Sequence, residues 1–309
     1  MSNDLLGEFA APLAFAHLAG RHGRPFSAPS AAPGHRGVFV SEAGGARIAL
    51  SVARLWEEHA AWNERCSEMA ERIRASLRGP YLLWVPPGGD LPAEEPAATE
   101  FVRRVSVAGA PLAPGARTDV ELPARVRLAK TRDEGGYASV IGGLGRYWTT
   151  VTERVSGTFV LDTTAIKRAP LDESARESMF DRIAQLATQI DTGQAVEFEL
   201  WDSWTLQRLE DGDGFVIVAA PPSFDPADGA SLRRLLRRRL DEAARALESV
   251  DAEVRGVAFV AIVEFAEHEG VSSALRSIAP SLYAPFDVLL ALADGEARVA
   301  LQPRPLPWS

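Results

Sequence analysis

Residues 195–219, AVEFELWDSWTLQRLEDGDGFVIVA, decide the fold class. Val196, Phe198 and Leu200 alternate with Glu197 and Glu199, the period-two pattern of a half-buried strand. Residues 205–209 read as a second strand. Asp211-Gly212-Asp213-Gly214 reads as a turn, and 215–219 as a third, fully apolar strand. Upstream, Met179, Ile183, Leu186 and Ile190 lie on one stripe of an expected helix over 172–190, with Gly193 as its stop. Downstream, a second amphipathic helix is expected over 229–249 and a buried strand over 257–263. A short helix near 272–278 and strands over 287–292 and 297–302 follow. Helices and strands interleave without strict alternation, so the class is α+β.

Working toward the N-terminus, the pattern changes at Ala169-Pro170, which sets a boundary between a β-rich domain over 37–170 and an α/β domain over 171–309. The β-rich domain opens with a hairpin, 38–40 and 47–50, around Gly44-Gly45. A long helix over 51–78 is expected next, because Leu55, Trp56, His59, Trp62, Cys66, Met69, Ile73 and Leu77 recur at helical steps. Strands are expected over 81–85, 101–107, 120–122, 125–129, 138–141, 147–151 and 158–161, giving a mostly antiparallel sheet with one long helix across it. Residues 1–36 read as a flexible arm. Leu5, Leu6, Phe9, Leu13 and Phe15 form an apolar tip broken by Pro12. Pro25, Pro29 and Pro33 mark an extended tether. Such a tip suits docking on a protein partner; the plainer alternative is an arm packed on its own domain.

The order helix, three strands, helix, strand over 172–264 resembles the core of restriction-endonuclease-like proteins. The resemblance implies a divalent metal held by an acid at the second strand and by an acid-x-Lys motif on the third, with the lysine positioning the attacking water. Asp202 stands at the head of the expected second strand, and Glu197 and Glu199 share a face of the first. The third strand, Phe215 to Ala219, carries neither acid nor lysine, so a site of this kind is degenerate in this chain.

Charge is unevenly distributed. The chain has 33 Lys plus Arg against 42 Asp plus Glu, a net −9. Yet residues 231–245 hold Arg233, Arg234, Arg237, Arg238, Arg239 and Arg245 against Asp241 and Glu242. Residues 101–132 hold Arg103, Arg104, Arg117, Arg125, Arg127, Lys130 and Arg132 against Asp119 and Glu121. Arginine forks match carboxylate and phosphate oxygens, so these segments are candidate surfaces for an acidic protein or a nucleic acid. Strand alternation puts Arg125 and Arg127 on one exposed face, which is also ordinary sheet design.

Other constellations have plain structural readings. Asp162, ending a strand before Thr163 and Thr164, reads as a cap of the next turn. Gly142-Gly143-Leu144-Gly145 reads as a turn rather than an anion cradle, with Tyr147 and Trp148 packed after it. His59 and Cys66 read as core residues. Glu264, Glu267 and Glu269 around His268 read as a solvated acidic tip. No Ser/His/Asp constellation, phosphate-binding lysine loop or dinucleotide fingerprint is present, and no metal or cofactor is called for. No apolar run approaches the roughly 20 residues that span a bilayer, and a lone cysteine suits the cytoplasm. The expectation is therefore a non-catalytic binding or assembly subunit of a cytoplasmic multi-protein complex. It would dock through the apolar arm and the basic faces, with a divergent metal-dependent nuclease or a nucleic-acid-binding protein as the alternative.

Overall fold

The computed structural model describes residues 3–225, 228–261 and 268–308. The chain is mixed α+β and divides into two compact units, residues 1–93 with 207–309, and residues 94–206. The expected boundaries at 36 and 170 are thus replaced by an insertion of the second unit into the first.

The first unit is built on a six-stranded sheet. Its strands are β1 (Ser30–Ala31), β2 (Val38–Ala43), β3 (Ala46–Arg54), β10 (Val254–Val260), β11 (Val288–Ala293) and β12 (Glu296–Leu301), adjacent in that order. The expected hairpin is β2–β3. Gly44 and Gly45 turn it with φ of 58° and 83°, the two positive values that match the twist of a tight hairpin. β3, β10 and β11 run parallel, and both edges are antiparallel. Parallel strands need long crossovers. α6 (Gly229–Leu247) precedes β10, and α7 (His268–Arg276) joins β10 to β11. Both faces of this sheet are covered, so its central strands are apolar without alternation. On one side Leu232, Leu236, Leu240 and Leu247 of α6 pack with Val257, Phe259 and Leu289. On the other, α1 (Asn3–His22) packs against Phe39, Ile48, Leu50 and Leu290. α2 (Ala60–Arg74), β4 (Tyr81–Trp84) and β9 (Phe215–Val218) complete the unit, β4 and β9 pairing in parallel.

This placement of α1 corrects the docking arm. Leu6, Phe9 and Phe15 are buried in the unit's own core and Leu13 packs against it, while the side chain of Leu5 lies outside the described residues. The helix runs through Pro12, which sits on its exposed side. The tether is fastened as well: β1 pairs with β2, and Phe26 meets Phe15 and Trp308 with ring centroids 5.9 and 6.0 Å apart.

The second unit holds α3 (Ala97–Gly109), β5 (Arg117–Arg132), β6 (Gly136–Gly142), α4 (Trp148–Thr152), β7 (Gly157–Thr163), α5 (Glu173–Ala187) and β8 (Ala195–Arg208). Its strands lie in the order β6-β7-β5-β8. One face, with Val126, Leu128, Phe159, Leu161 and Leu200, packs under Met179, Phe180 and Ile183 of α5.

Several expected elements differ. The stretch 51–78 is strand to Arg54, and its helix starts only at Ala60. Segment 101–107 is helix, not strand, because Phe101 and Val105, four apart, are the buried pair. Residues 148–152 are also helical. The two strands expected over 196–200 and 205–209 are one continuous strand, since Trp201-Asp202-Ser203-Trp204 contains neither glycine nor proline to break it. The endonuclease-like order therefore loses a strand. β10 ends at Val260, and residues 262 and 263 of the expected strand lie outside the described residues.

Candidate basic surfaces

α6 is strictly two-sided. Six residues, Leu232, Leu235, Leu236, Leu240, Ala243 and Leu247, are buried, which leaves the arginines on the opposite stripe. The arginines of its second half are engaged within the protein. Arg238 donates to both carboxylate oxygens of Glu57 at 2.8 Å and sits 3.5 Å from Glu242. This pairing raises the Arg238 pKa further. Arg239 donates to the carbonyls of Arg54 and Trp56 at 2.9 and 3.2 Å and to Glu242 at 2.7 Å. Arg245 donates to the Asp241 carbonyl at 3.1 Å. The first half is not engaged in this way. Among the described residues Arg234 donates to the Ser231 hydroxyl alone, at 2.9 Å, with the Asp228 carboxylate near. Arg233 and Arg237 make no hydrogen bond or ion pair with a described residue. Arg234 and Arg237 are exposed and Arg233 is half-buried. Asp228 caps the helix, accepting from the amides of Ala230 and Ser231 at 3.0 and 3.2 Å. Its hydrogen bonds to Ser231 hold its carboxyl below the ordinary range.

The segment 101–132 is not one basic patch. Glu100, one position outside it, takes Arg103 at 2.6 Å and Arg104 at 2.7 Å. Those bonds, Arg103 foremost, lower its carboxyl to about 2. Lys130 pairs with Asp133 at 2.8 Å. Arg125 and Arg127 do point from the exposed side of β5, but Asp162 on β7 stands opposite Arg127. Glu197 and Glu199 are exposed on the neighbouring β8. That face is of mixed sign.

The acids proposed for a metal do not converge. Glu197 and Glu199 leave one side of β8, whereas Asp202, of opposite parity, is buried with only 6 % exposure. Its oxygens are occupied by the amides of Lys167 and Arg168, both at 2.9 Å, and by the Trp204 indole at 2.8 Å. Burial outweighs these bonds and raises its pKa. Among the described residues no group of three His, Cys, Asp or Glu side chains is placed to hold a metal ion.

Asp162 accepts from the Thr164 amide at 3.0 Å and its hydroxyl at 2.6 Å, closing the turn after β7. These bonds lower its pKa. Gly142 and Gly143 are packed against backbone, not open to an anion: a Cβ on Gly143 would stand 2.3 Å from the Ile166 carbonyl oxygen. His59 caps α2 instead of joining the core, accepting from Trp62 N at 3.3 Å. Cys66 is buried, which pushes its thiol up to about 12. Glu264 and Glu267, and the side chains of His268 and Glu269, lie outside the described residues.

Sequence reading missed the partners Glu57 and Glu100. Glu100 is three and four residues before its arginines, the spacing of helix ion pairs, and was hidden by the strand assignment. Glu57 lies 181 positions from Arg238, with no local signal. No protein-family model, curated protein or solved structure matches the chain. No helix among the described residues is long and apolar enough to cross a membrane.

Proposed function

We propose that this chain is a non-catalytic binding or assembly subunit of a cytoplasmic multi-protein complex, and that it meets an acidic protein surface with the first half of α6. One observation carries this reading: Arg233, Arg234 and Arg237 stand together without a carboxylate bonded to them among the described residues, while the arginines of the next turns are each held by a carboxylate or a carbonyl. Arg233 and Arg237 are one helical repeat apart, roughly 6 Å along the axis. Two carboxylates at the same spacing on a partner helix would match them. Electrostatic matching of this kind sets specificity and association rate. The buried α1 has no part in the contact. The cytoplasmic assignment rests on the single cysteine in 309 residues.

The test is capture of partners by the tagged full chain from its own cells after nuclease treatment, compared with R233E/R234E/R237E. Arg234 and Arg237 are exposed and Arg233 is half-buried; surface substitutions of this kind shift stability within about 0.5 kcal/mol each, so circular dichroism should match. A stoichiometric protein lost in the variant supports the reading. A partner retained in full, or nucleic acid as the only specific companion, overturns it.

A further inference from the structure

The sheet of the second unit is covered by α5 on one face, and the other carries a pattern that bears on self-association. β5 and β8 are bonded neighbours, Lys130 N donating to the Gln194 carbonyl at 3.0 Å and Gly193 N to the Lys130 carbonyl at 2.9 Å. Ala124, Val126 and Leu128 of β5 and Val196, Phe198 and Leu200 of β8 turn toward α5. The alternating positions Arg125, Arg127, Glu197 and Glu199 therefore share the opposite face, and all four are exposed. The register β6–β7–β5 adds Ile141, Asp162 and Arg127 as one cross-strand row on that face, and Tyr137 beside Thr158 as another.

Two features set this face apart from an ordinary solvated one. Arg125, Arg127, Glu197 and Glu199 lie on adjacent strands, yet none forms a hydrogen bond or an ion pair with a described residue. Large exposed apolar residues also gather at its edge. Tyr137 and Ile141 are 50 % and 51 % exposed, and Trp148, 47 % exposed, sits with its ring 6.3 Å from that of Tyr137. Clustered exposed apolar side chains mark interaction surfaces. Opposite charges on neighbouring strands make a surface complementary to itself, as a two-fold contact requires.

We propose that this open face is where two copies of the chain meet, Arg125 and Arg127 of one copy lying against Glu197 and Glu199 of the other. The contact is isologous: the arginine strand of each copy faces the glutamate strand of its mate, so every ion pair forms twice. The proposal is independent of the α6 surface.

The experiment is sedimentation velocity with light scattering on the full chain and three variants, R125E/R127E, E197R/E199R and the combined fourfold swap. The wild type should show twice the 33.3 kDa chain mass. Either double variant should weaken the dimer by about 100-fold or more, as like charges are brought face to face. The fourfold swap should restore it, because its exchanged charges are again complementary. A wild type that is monomeric throughout the micromolar range overturns the proposal. A dimer indifferent to both double variants overturns it equally. Near-ultraviolet circular dichroism reports the fold of each variant, and a folded fourfold swap that stays monomeric also counts against the contact.

Discussion

The Trp204 indole donates to Asp202 Oδ2 at 2.8 Å, two residues along the buried half of β8. Oδ1 of that carboxylate takes the Lys167 and Arg168 amides, which pins the segment after β7 to β8. The residue that the endonuclease-like alternative would put at a metal is thus a brace. Asp202→Ala leaves two buried donors and the half-buried Lys167 amide without an acceptor and should cost about 3 kcal/mol. Asp202→Asn, which keeps one oxygen, should cost less. Chemical denaturation of both variants checks the order.

Asp202 also makes a signed pH prediction. Burial raises its folded pKa above the ordinary 3.8. A raised folded pKa contributes stability that is fully present below the unfolded pKa and is lost as pH rises through the folded one. The stability of the wild type relative to Asp202→Asn should therefore improve on acidification from neutral pH toward 3.8. Asp162 has the opposite sign. Its pKa is lowered by Thr164, so its contribution is present above the unfolded value and fades as pH falls through the folded one. Denaturation midpoints measured from neutral pH to below 3.8 should therefore diverge from the wild type in opposite directions, for Asp202→Asn above 3.8 and for Asp162→Asn below it.

Phe15 is 2 % exposed and meets Phe26 within the core that α1 shares with the central sheet. Phe15→Ala should cost about 3–5 kcal/mol, the usual range for an emptied aromatic site. Removing residues 1–22 takes Leu6, Phe9, Phe15 and Leu18 together. Each is worth about 1.5–3 kcal/mol of burial, and the sum rivals the whole stability of an ordinary domain, about 5–15 kcal/mol. The truncated chain should fail to fold, as seen by a lost thermal transition. A folded, soluble truncation would show that α1 does dock as an appendage.

What was legible in the sequence follows from how far each signal reaches. The leucines of α6 recur at helical spacing and faced the core as expected, and Gly44-Gly45 marked its hairpin. Both signals are local. Segment 101–107 failed because its apolar residues fit two periods. Val105 is buried and Val107 is 61 % exposed, which only the tertiary packing decides. Thr149-Thr150-Val151-Thr152 has strand propensity that packing overrides. The basic segments were visible as composition, but their neutralisation was not. Arg238 finds Glu57, 181 positions away, through folding alone. The apolar N-terminus looked the same whether it docked outward or inward, since its contacts Ile48 and Leu290 belong to distant strands.

Gly143 gives the last prediction. The sequence offered its glycine loop as either an anion cradle or a turn. The amides of that loop are engaged within the protein, Gly143 N donating to the Ile166 carbonyl at 3.2 Å and Leu144 N to the Thr163 hydroxyl at 3.2 Å. A methyl group on Gly143 would meet the Ile166 carbonyl oxygen at 2.3 Å and Lys167 backbone at 3.0 Å. Neither neighbour is a flexible side-chain end, so the two backbone segments must separate. Gly143→Ala should cost about 1–3 kcal/mol, as overpacking does. The displaced segment carries the amides of Lys167 and Arg168 that hold Asp202. Coupling between Gly143→Ala and Asp202→Asn should therefore be measurable, the double variant losing less than the sum of the two single losses by about 0.5 kcal/mol or more. Strictly additive losses in a double-mutant cycle would separate the glycine loop from the Asp202 brace.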